Sequence, residues 1–264
     1  MSDVLDYLSD STHWSGADGI PHRILEHVQY SFGALLIVLL IALPLGLYVG
    51  HTGRGALGIA GVANALRALP TFGLLIFVVI GLSDYLSGDF TYTGPSLLVL
   101  VILGIPAVLS NTYAGVQNVD PAARDAARGM GMTSLQVLWR VEVPNALPLI
   151  ISGVRSAILQ IVATATIAAY VSLGGLGRFI VDGLAQRDYA QMATGALLVA
   201  VLALALDLLL ALVQRLVVSR GVTGRFATGR AVGPAESAVI GALGEPVTAG
   251  APGGSVVRSP DETV

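Results

Sequence analysis

The chain has 264 residues, of which 54% are hydrophobic and only 12% are charged. Soluble domains carry roughly 25% charged residues, so the composition points to a multi-span membrane protein. There is no cysteine, and all 14 basic residues are arginine. Disulfides, a phosphate-binding-loop lysine and a Schiff-base lysine are therefore excluded. The net charge of −3 gives no indication of a nucleic-acid partner, and none is predicted.

Residues 1–30 form an acidic and polar N-terminal segment, predicted to be extracytoplasmic. No positively charged stretch precedes an apolar core there, so no signal peptide is predicted. The histidines have no metal-ligand spacing, and we expect them to be solvated and to lie outside the apolar segments. No catalytic motif, metal site or cofactor is predicted for the chain.

Apolar segments within 31–218 predict an all-α transmembrane domain of five helices. Arg67 and Pro70 divide the second apolar region, so we expect a helix at or near the cytoplasmic boundary over 56–67 before the span itself. The five spans are predicted over 31–50, 68–83, 95–115, 147–170 and 191–218. The remaining segment, 219–264, is rich in small and polar residues, which predicts a disordered tail.

The distribution of arginine predicts the orientation of the chain in the membrane, because cytoplasmic loops carry an excess of basic residues. Five spans place the two termini on opposite sides. One side holds Arg54, then Arg124, Arg128 and Arg140, then Arg215, Arg220, Arg225 and Arg230. The other side holds only Arg23, Arg178 and Arg187. We therefore predict that the N-terminus is outside and that the tail is cytoplasmic.

The polar segment 120–144, between the third and fourth spans, has the pattern of a folded helical loop. Asp120 followed by Pro121 is an N-cap with proline at the first helical position, where the missing N–H has no cost. Gly129 and Gly131 are predicted to end this helix, since glycine accepts the left-handed conformation that helix ends require.

A second short helix is predicted after Thr133, because Gln136 stands three residues later and completes a capping box. Pro144 is predicted to mark the next boundary, since proline disfavours the α conformation in the residue before it. On composition alone, two short helices joined at a glycine are compatible with two interpretations. One is an ordered interhelical loop, and the other is a contact surface for a partner protein.

The same segment resembles the "EAA" loop of ABC importer permeases. That pattern is Glu-Ala-Ala, three residues, Gly, nine residues and Ile-x-Leu-Pro. Here Asp125-Ala126-Ala127 precedes Gly131 and Val141-Glu142-Val143-Pro144 at matching spacing, with conservative changes of Glu to Asp and of Ile and Leu to Val. Other motifs resemble permeases for glycine betaine, choline and related osmoprotectants: Leu43-Pro44-Leu45-Gly46, Pro70-Thr71, Ile105-Pro106, Asn111-Thr112-Tyr113, Thr166-Ile167-Ala168-Ala169 and Gly174-Gly175-Leu176-Gly177.

The resemblance implies a permease subunit of an ATP-driven importer for glycine betaine, choline, carnitine or proline betaine. It implies a cytoplasmic ATPase dimer that hydrolyses ATP, so the chain itself is not an enzyme. It also implies a second permease chain, identical or paralogous, and an extracytoplasmic substrate-binding protein. The residues expected to couple to the ATPase are Asp125, Ala126, Ala127, Gly129, Met130, Gly131, Met132, Val141 and Pro144.

Polar residues in the predicted spans are candidates for the translocation path. The alternative is interhelical packing, where serine and threonine are common. A zwitterionic substrate needs no strong fixed site in the membrane if the binding protein holds its quaternary ammonium, for instance in an aromatic cage. The candidates are Thr71, Asn111, Thr112, Tyr113, Thr164 and Thr166.

Arg155 and Asp207 are the clearest charges within the predicted spans, and we expect them to form an ion pair. They lie roughly 12 Å and 16 Å from the same membrane surface at ~1.5 Å per residue. Arginine is long enough to bridge this difference, and its guanidinium group matches a carboxylate. The alternative is that Arg155 extends to the interface while Asp207 lines a wet cavity.

Two other functions remain compatible with the sequence. One is an importer of the same class for ergothioneine or an amino acid. The other is a membrane scaffold with no transport path. Isolation of the chain from membranes with a bound ATPase and binding protein would favour transport.

Overall fold

A computed structural model describes residues 2–88 and 90–218, and the predicted tail over 219–264 lies outside the described residues. Within these ranges every regular element is helical. The helices are α1 (Ser2–Ser9), α2 (Ile20–Thr52), α3 (Ala56–Ala68), α4 (Thr71–Ser83), α5 (Phe90–Gln117), α6 (Pro121–Gly129), α7 (Ser134–Val137), α8 (Val143–Ala168), α9 (Gly177–Gln186) and α10 (Tyr189–Val217).

Four helical segments in the described part of the chain are long and apolar enough to cross a membrane, and the α3–α4 pair provides a fifth span if it is counted as one. The predicted division of that region is confirmed, because α3 and α4 meet at a bend of 93°. Leu69, directly before Pro70, has an extended backbone, as expected for a residue that precedes proline.

Helix α2 begins at Ile20, well before the predicted start of the first span at residue 31. Polar side chains of its first turns find partners far along the chain. Glu26 accepts a hydrogen bond from the backbone N–H of Gly175 at 2.9 Å, and Nε2 of the fully buried His27 lies 3.3 Å from the carbonyl oxygen of Val162. The expectation that the histidines lie in solvent was therefore wrong for His27.

Helix α5 occupies the centre of the bundle and packs against both α2 and α8. Gly46 and Gly50 allow α2 to approach it closely. A Cβ atom on Gly46 would lie 2.8 Å from Cβ of Thr112, and one on Gly50 would lie 2.7 Å from Cβ of Val116. This small-xxx-small spacing is a common way for membrane helices to pack without a hydrophobic driving force between them.

Helices α7 and α8 are joined by a π-helical turn, Leu138–Glu142, into one continuous helical segment, Ser134–Val171. In the turn the N–H of Val143 donates to the carbonyl of Leu138, five residues back. The wider turn accommodates Pro144, which has no N–H to donate and whose ring clashes with a standard α-helical turn. The predicted helix boundary at Pro144 was therefore wrong, and the helix that contains the predicted fourth span extends well before residue 147.

Helix α10 packs against α8 and α9 and exposes a long apolar face. This face carries leucines at intervals of four residues that are 54–77% exposed: Leu204, Leu208, Leu212 and Leu216. A helix that remains apolar where it is exposed is suited to contact with lipid or with another membrane protein.

Candidate coupling segment and membrane cavity

The segment between α5 and α8 folds as two short helices joined by a glycine turn. The Asp120 side chain accepts a hydrogen bond from the N–H of Ala122 at 2.9 Å. Gly131 has a φ of +83°, which is the left-handed conformation expected where α6 ends. Thr133 and Gln136 form both bonds of a capping box at the start of α7. These local predictions are confirmed, and we call α6, the turn and α7 the coupling hairpin.

The coupling hairpin separates a packed side from an exposed one. Ala127 is 1% exposed and seats α6 on the rest of the protein. The Asp125 side chain is 74% exposed, and its one ion-pair partner among the described residues is Arg128, at 3.3 Å. Met130 is 73% exposed. Of the other predicted coupling residues, Ala126, Gly129, Gly131 and Pro144 are exposed, whereas Met132 and Val141 are partly buried.

Two apolar residues that sequence reasoning did not single out enlarge the exposed side. Leu135 is 64% exposed and Trp139 is 55% exposed. They stand four residues apart along one continuous helical segment and so share a face. The four-residue spacing of these two apolar residues within a polar segment indicates an apolar helix face from the sequence alone. With Met130 they give the hairpin an apolar surface that no described part of the chain covers.

A buried carboxylate anchors the hairpin to the transmembrane helices. Glu142, in the π-helical turn, has a side chain that is 1% exposed. Its Oε2 accepts a hydrogen bond from Nδ1 of His51 at 2.6 Å, and its Oε1 lies 3.1 Å from Nε of Arg124. Nε2 of His51 lies 2.7 Å from the Ser134 hydroxyl oxygen. We call these four residues the anchoring cluster.

The anchoring cluster joins four parts of the fold at one point. His51 is in the last turn of α2, Arg124 belongs to α6, and Ser134 begins α7. Arg124 also donates to the carbonyl of Val116 near the end of α5. Because a buried charge is costly unless it is paired, the cluster fixes the hairpin in one position on the bundle. The anchoring cluster was not predicted from the sequence, although a single glutamate between Val141 and Val143 indicates a carboxylate within an apolar stretch.

A cavity of about 320 Å³ lies between α3, α4, α5 and α8. Two of the residues predicted for the translocation path, Thr71 and Asn111, line it. Thr112 and Thr164 are 0% and 1% exposed and are packed between helices, as the packing alternative expects. The polar side chains that line the cavity are Arg67, Thr71, Asn111, Ser156 and Gln160.

Tyr113 and Thr166 are partly buried and do not line this cavity. The Thr166 hydroxyl donates to the carbonyl of Val162, one turn earlier in α8, at 3.0 Å. Such back-bonding satisfies a hydroxyl within its own helix. The two residues therefore stand apart from Thr71 and Asn111.

Arg67, which the sequence places in a helix at or near the cytoplasmic boundary, contacts the middle of α5. Its Nη2 lies 3.3 Å from the carbonyl oxygen of Pro106 and 3.4 Å from the Ser110 hydroxyl oxygen. Pro106 stands about 16 Å along α5 from its end at Gln117 at ~1.5 Å per residue. Because α3 packs against α5, it brings Arg67 to this level of the bundle, and an isolated sequence window does not contain this contact.

Arg155 and Asp207 face each other between α8 and α10. Nη2 of Arg155 lies 2.8 Å from both carboxylate oxygens of Asp207, and Nε lies 3.0 Å from Oδ1. Nη1 also donates to Oε1 of Gln214 at 3.3 Å. The guanidinium group therefore has a bidentate carboxylate partner and a neutral acceptor, both from the same helix.

The helical fold, the exposed hairpin and the polar cavity together define a multi-pass membrane protein of the transport-permease type. The chain belongs to the family of binding-protein-dependent transport system inner membrane components, whose family model matches residues 42–221. The prediction of an ABC importer permease with an all-α fold is thereby confirmed.

Relatives of known function include permeases for small organic solutes. The chain is 29% identical to the glycine betaine/carnitine/choline transport system permease protein OpuCB of Bacillus subtilis, with 75% of this chain and 88% of that protein covered. It is 32% identical to the carnitine transport permease protein OpuCD of Listeria monocytogenes, with 81% and 92% covered.

Solved structures share the fold. A chain of the MetNI methionine ABC transporter in an inward-facing conformation aligns with a TM-score of 0.66 at 19% identity, with 76% of this chain and 96% of that chain covered. A chain of an amino acid ABC transporter aligns with a TM-score of 0.59 at 21% identity, with 73% and 91% covered.

Proposed function

We propose that this chain is the translocating subunit of an ATP-driven importer for osmoprotectants such as glycine betaine, choline, carnitine or proline betaine. The observation that carries the proposal is the exposed coupling hairpin, fixed to the bundle by the buried Glu142. Relatives named for glycine betaine, carnitine and choline support the substrate class. The chain would work with a separate cytoplasmic ATPase dimer, a second permease chain and an extracytoplasmic binding protein.

In this proposal the coupling hairpin docks on the ATPase. Small residues on α6 allow close approach, and the flexible side chain of Met130 adapts to a groove that changes shape. Leu135 and Trp139 extend the apolar contact. Movement of the ATPase would reach α2 and α5 through the anchoring cluster, and it would reach the cavity through the continuous segment Ser134–Val171.

The proposed orientation follows from the same assignment. The hairpin side of the bundle would be cytoplasmic, which agrees with the excess of arginine in the loops on that side. The N-terminus would then be extracytoplasmic, and the segment 219–264 would be cytoplasmic. The cavity between α3, α4, α5 and α8 would open alternately to the two sides of the membrane, with Thr71 and Asn111 in its wall.

Two substitutions in the hairpin test the coupling role. Gly131→Pro forces a φ near −65° on a residue whose φ is +83°, so it should distort the turn. Asp125→Arg reverses an exposed charge whose one described partner is Arg128, so it should disturb the partner surface and leave the fold intact. Both variants should abolish ATP-dependent uptake of glycine betaine or release the ATPase.

The matched control is Asp84→Arg, a charge reversal at an exposed position beyond α4, at the other end of the bundle from the hairpin. Uptake should be measured in vesicles that contain the complete complex, and ATPase retention should be measured by co-purification. Normal uptake together with normal ATPase retention in both hairpin variants would overturn the coupling role.

A further inference from the structure

Arg67 differs from Arg155, the arginine of α8, in the partners of its guanidinium group. Arg155 has the carboxylate of Asp207 at 2.8 Å, whereas no carboxylate among the described residues lies within ion-pair distance of Arg67. Its hydrogen-bond acceptors, the Pro106 carbonyl and the Ser110 hydroxyl, are both neutral. Pro106 lies near the middle of the long apolar helix α5, and a cation held at such a level without a protein counter-ion indicates a role in binding or conduction.

The cavity beside Arg67 has the composition of a binding site for a small anionic group. Arg67 is the one charged side chain among its described lining residues. Amide and hydroxyl groups of Asn111, Ser156 and Gln160 supply further polar contacts. A volume of about 320 Å³ stands at the lower end of the range for ligand pockets, so a small solute is the appropriate occupant.

The hydrogen bonds of Arg67 leave its guanidinium group available for a ligand. Both described bonds use Nη2 and are long, at 3.3 Å and 3.4 Å. A guanidinium group has five N–H donors in a planar fork that matches a carboxylate, and a charge-assisted pair is roughly twice as strong as a bond to a neutral acceptor. A carboxylate entering the cavity would therefore bind more strongly than the present acceptors.

We propose that Arg67 binds the carboxylate of a zwitterionic solute while that solute crosses the cavity. The inference rests on the proposed function and identifies which osmoprotectants use the site. Leu66, Leu69 and Leu103 form apolar wall around the charged group and can face the alkyl part of the solute. Glycine betaine and carnitine have a carboxylate, whereas choline has a hydroxyl group in its place. The site therefore distinguishes two kinds of substrate that share a quaternary ammonium.

The experiment compares uptake of glycine betaine and choline by the complete complex in vesicles, at concentrations below half-saturation of the wild-type complex. Arg67→Gln should lower glycine betaine uptake at least tenfold and change choline uptake less than twofold, because only the carboxylate loses a charge-assisted pair. Arg67→Lys should restore part of the glycine betaine uptake, since lysine keeps the charge without the fork. Arg54→Gln, in the exposed turn before α3, is the matched control and should leave both rates unchanged.

Equal losses for both substrates, or no loss for either, would overturn the site while the importer function stands. A wild-type complex that carries neither substrate would instead overturn the proposed function. A wild-type complex that carries choline alone would also overturn the site. If the wild type carries glycine betaine alone, a second measurement tests the site. It is the calorimetric affinity of glycine betaine for the permease–ATPase complex without the binding protein. Binding weakened at least tenfold by Arg67→Gln supports the site, and unchanged binding overturns it.

Discussion

Replacement of Glu142 by glutamine tests whether the anchoring cluster fixes the coupling hairpin. Glutamine has nearly the same shape as glutamate, so Glu142→Gln removes charge and little volume. The side chain is 1% exposed, and Arg124 and His51, its partners, are 19% and 13% exposed. Removal of one member of a buried pair strands the other charge, at a cost of about 3–5 kcal/mol. The amide oxygen can still accept one hydrogen bond, which places the expected loss at the lower end of that range.

The loss can be measured as the change in free energy of unfolding in detergent, followed by helical circular dichroism during denaturant titration. Asp125→Asn is the matched control in the same hairpin, because it neutralises a carboxylate that is 74% exposed. An exposed pair contributes about 0–1 kcal/mol, so the control should change stability by no more than that. A loss below about 1 kcal/mol for Glu142→Gln would refute the assignment of Glu142 as an anchor.

A double substitution separates a stranded charge from a general packing defect. Glu142→Gln combined with Arg124→Gln removes both members of the pair, so the stability loss should be smaller than the sum of the two single losses. In the assembled complex, Glu142→Gln should lower uptake more than it lowers ATPase association, because the hairpin surface remains present while its attachment is weakened. Loss of association with unimpaired uptake per bound ATPase would contradict this account.

Two further substitutions test the packing of the bundle. Asp207→Asn and Arg155→Gln should each lower the yield of folded protein, and their combination should lower it by less than the sum, whereas strictly additive losses would count against a direct pair. Gly50→Leu should also lower the yield, because an added side chain meets Cβ of Val116 at 2.7 Å, whereas Gly33→Leu in the same helix meets nothing within 4 Å and should be tolerated. Equal yields for the two leucine variants would contradict the close packing of α2 and α5.

Features that depend on neighbouring residues were predictable from the sequence. The caps at Asp120 and Thr133 and the glycine turn follow from rules that span three or four residues, and each is present. The break at Pro70 follows in the same way. The number of spans follows from composition, because a bilayer sets the length of apolar helix that it needs.

Features that depend on distant partners were not predictable in the same way. The polar first turns of α2 remain helical because Glu26 and His27 contact the backbone of residues more than 130 positions away. Glu142 is buried because His51 and Arg124 converge on it from two other helices. Arg67 reaches the cavity because α3 packs on α5. Hydropathy and local motifs contain none of these contacts.

The pair of Arg155 and Asp207 was partly predictable from the sequence. Counting residues from one membrane surface predicts that they lie at similar depths, and in the structure Nη2 and Oδ1 are 2.8 Å apart. Depth alone does not specify which helix faces which. The contribution of Gln214 to the same guanidinium group became visible only from the packing of α10 against α8.

The continuous helical segment Ser134–Val171 has the geometry of a lever. Its coupling end and Gln160 in the cavity wall are separated by 26 residues, or about 39 Å. A rigid tilt of about 10° around the coupling end would move Gln160 by about 7 Å at that length. This displacement is close to the width of the cavity, because a cube with the cavity volume of 320 Å³ has an edge of about 7 Å. Since Arg155 pairs with Asp207, α10 would move with α8, so a small rotation at the proposed ATPase contact would open or collapse the whole cavity.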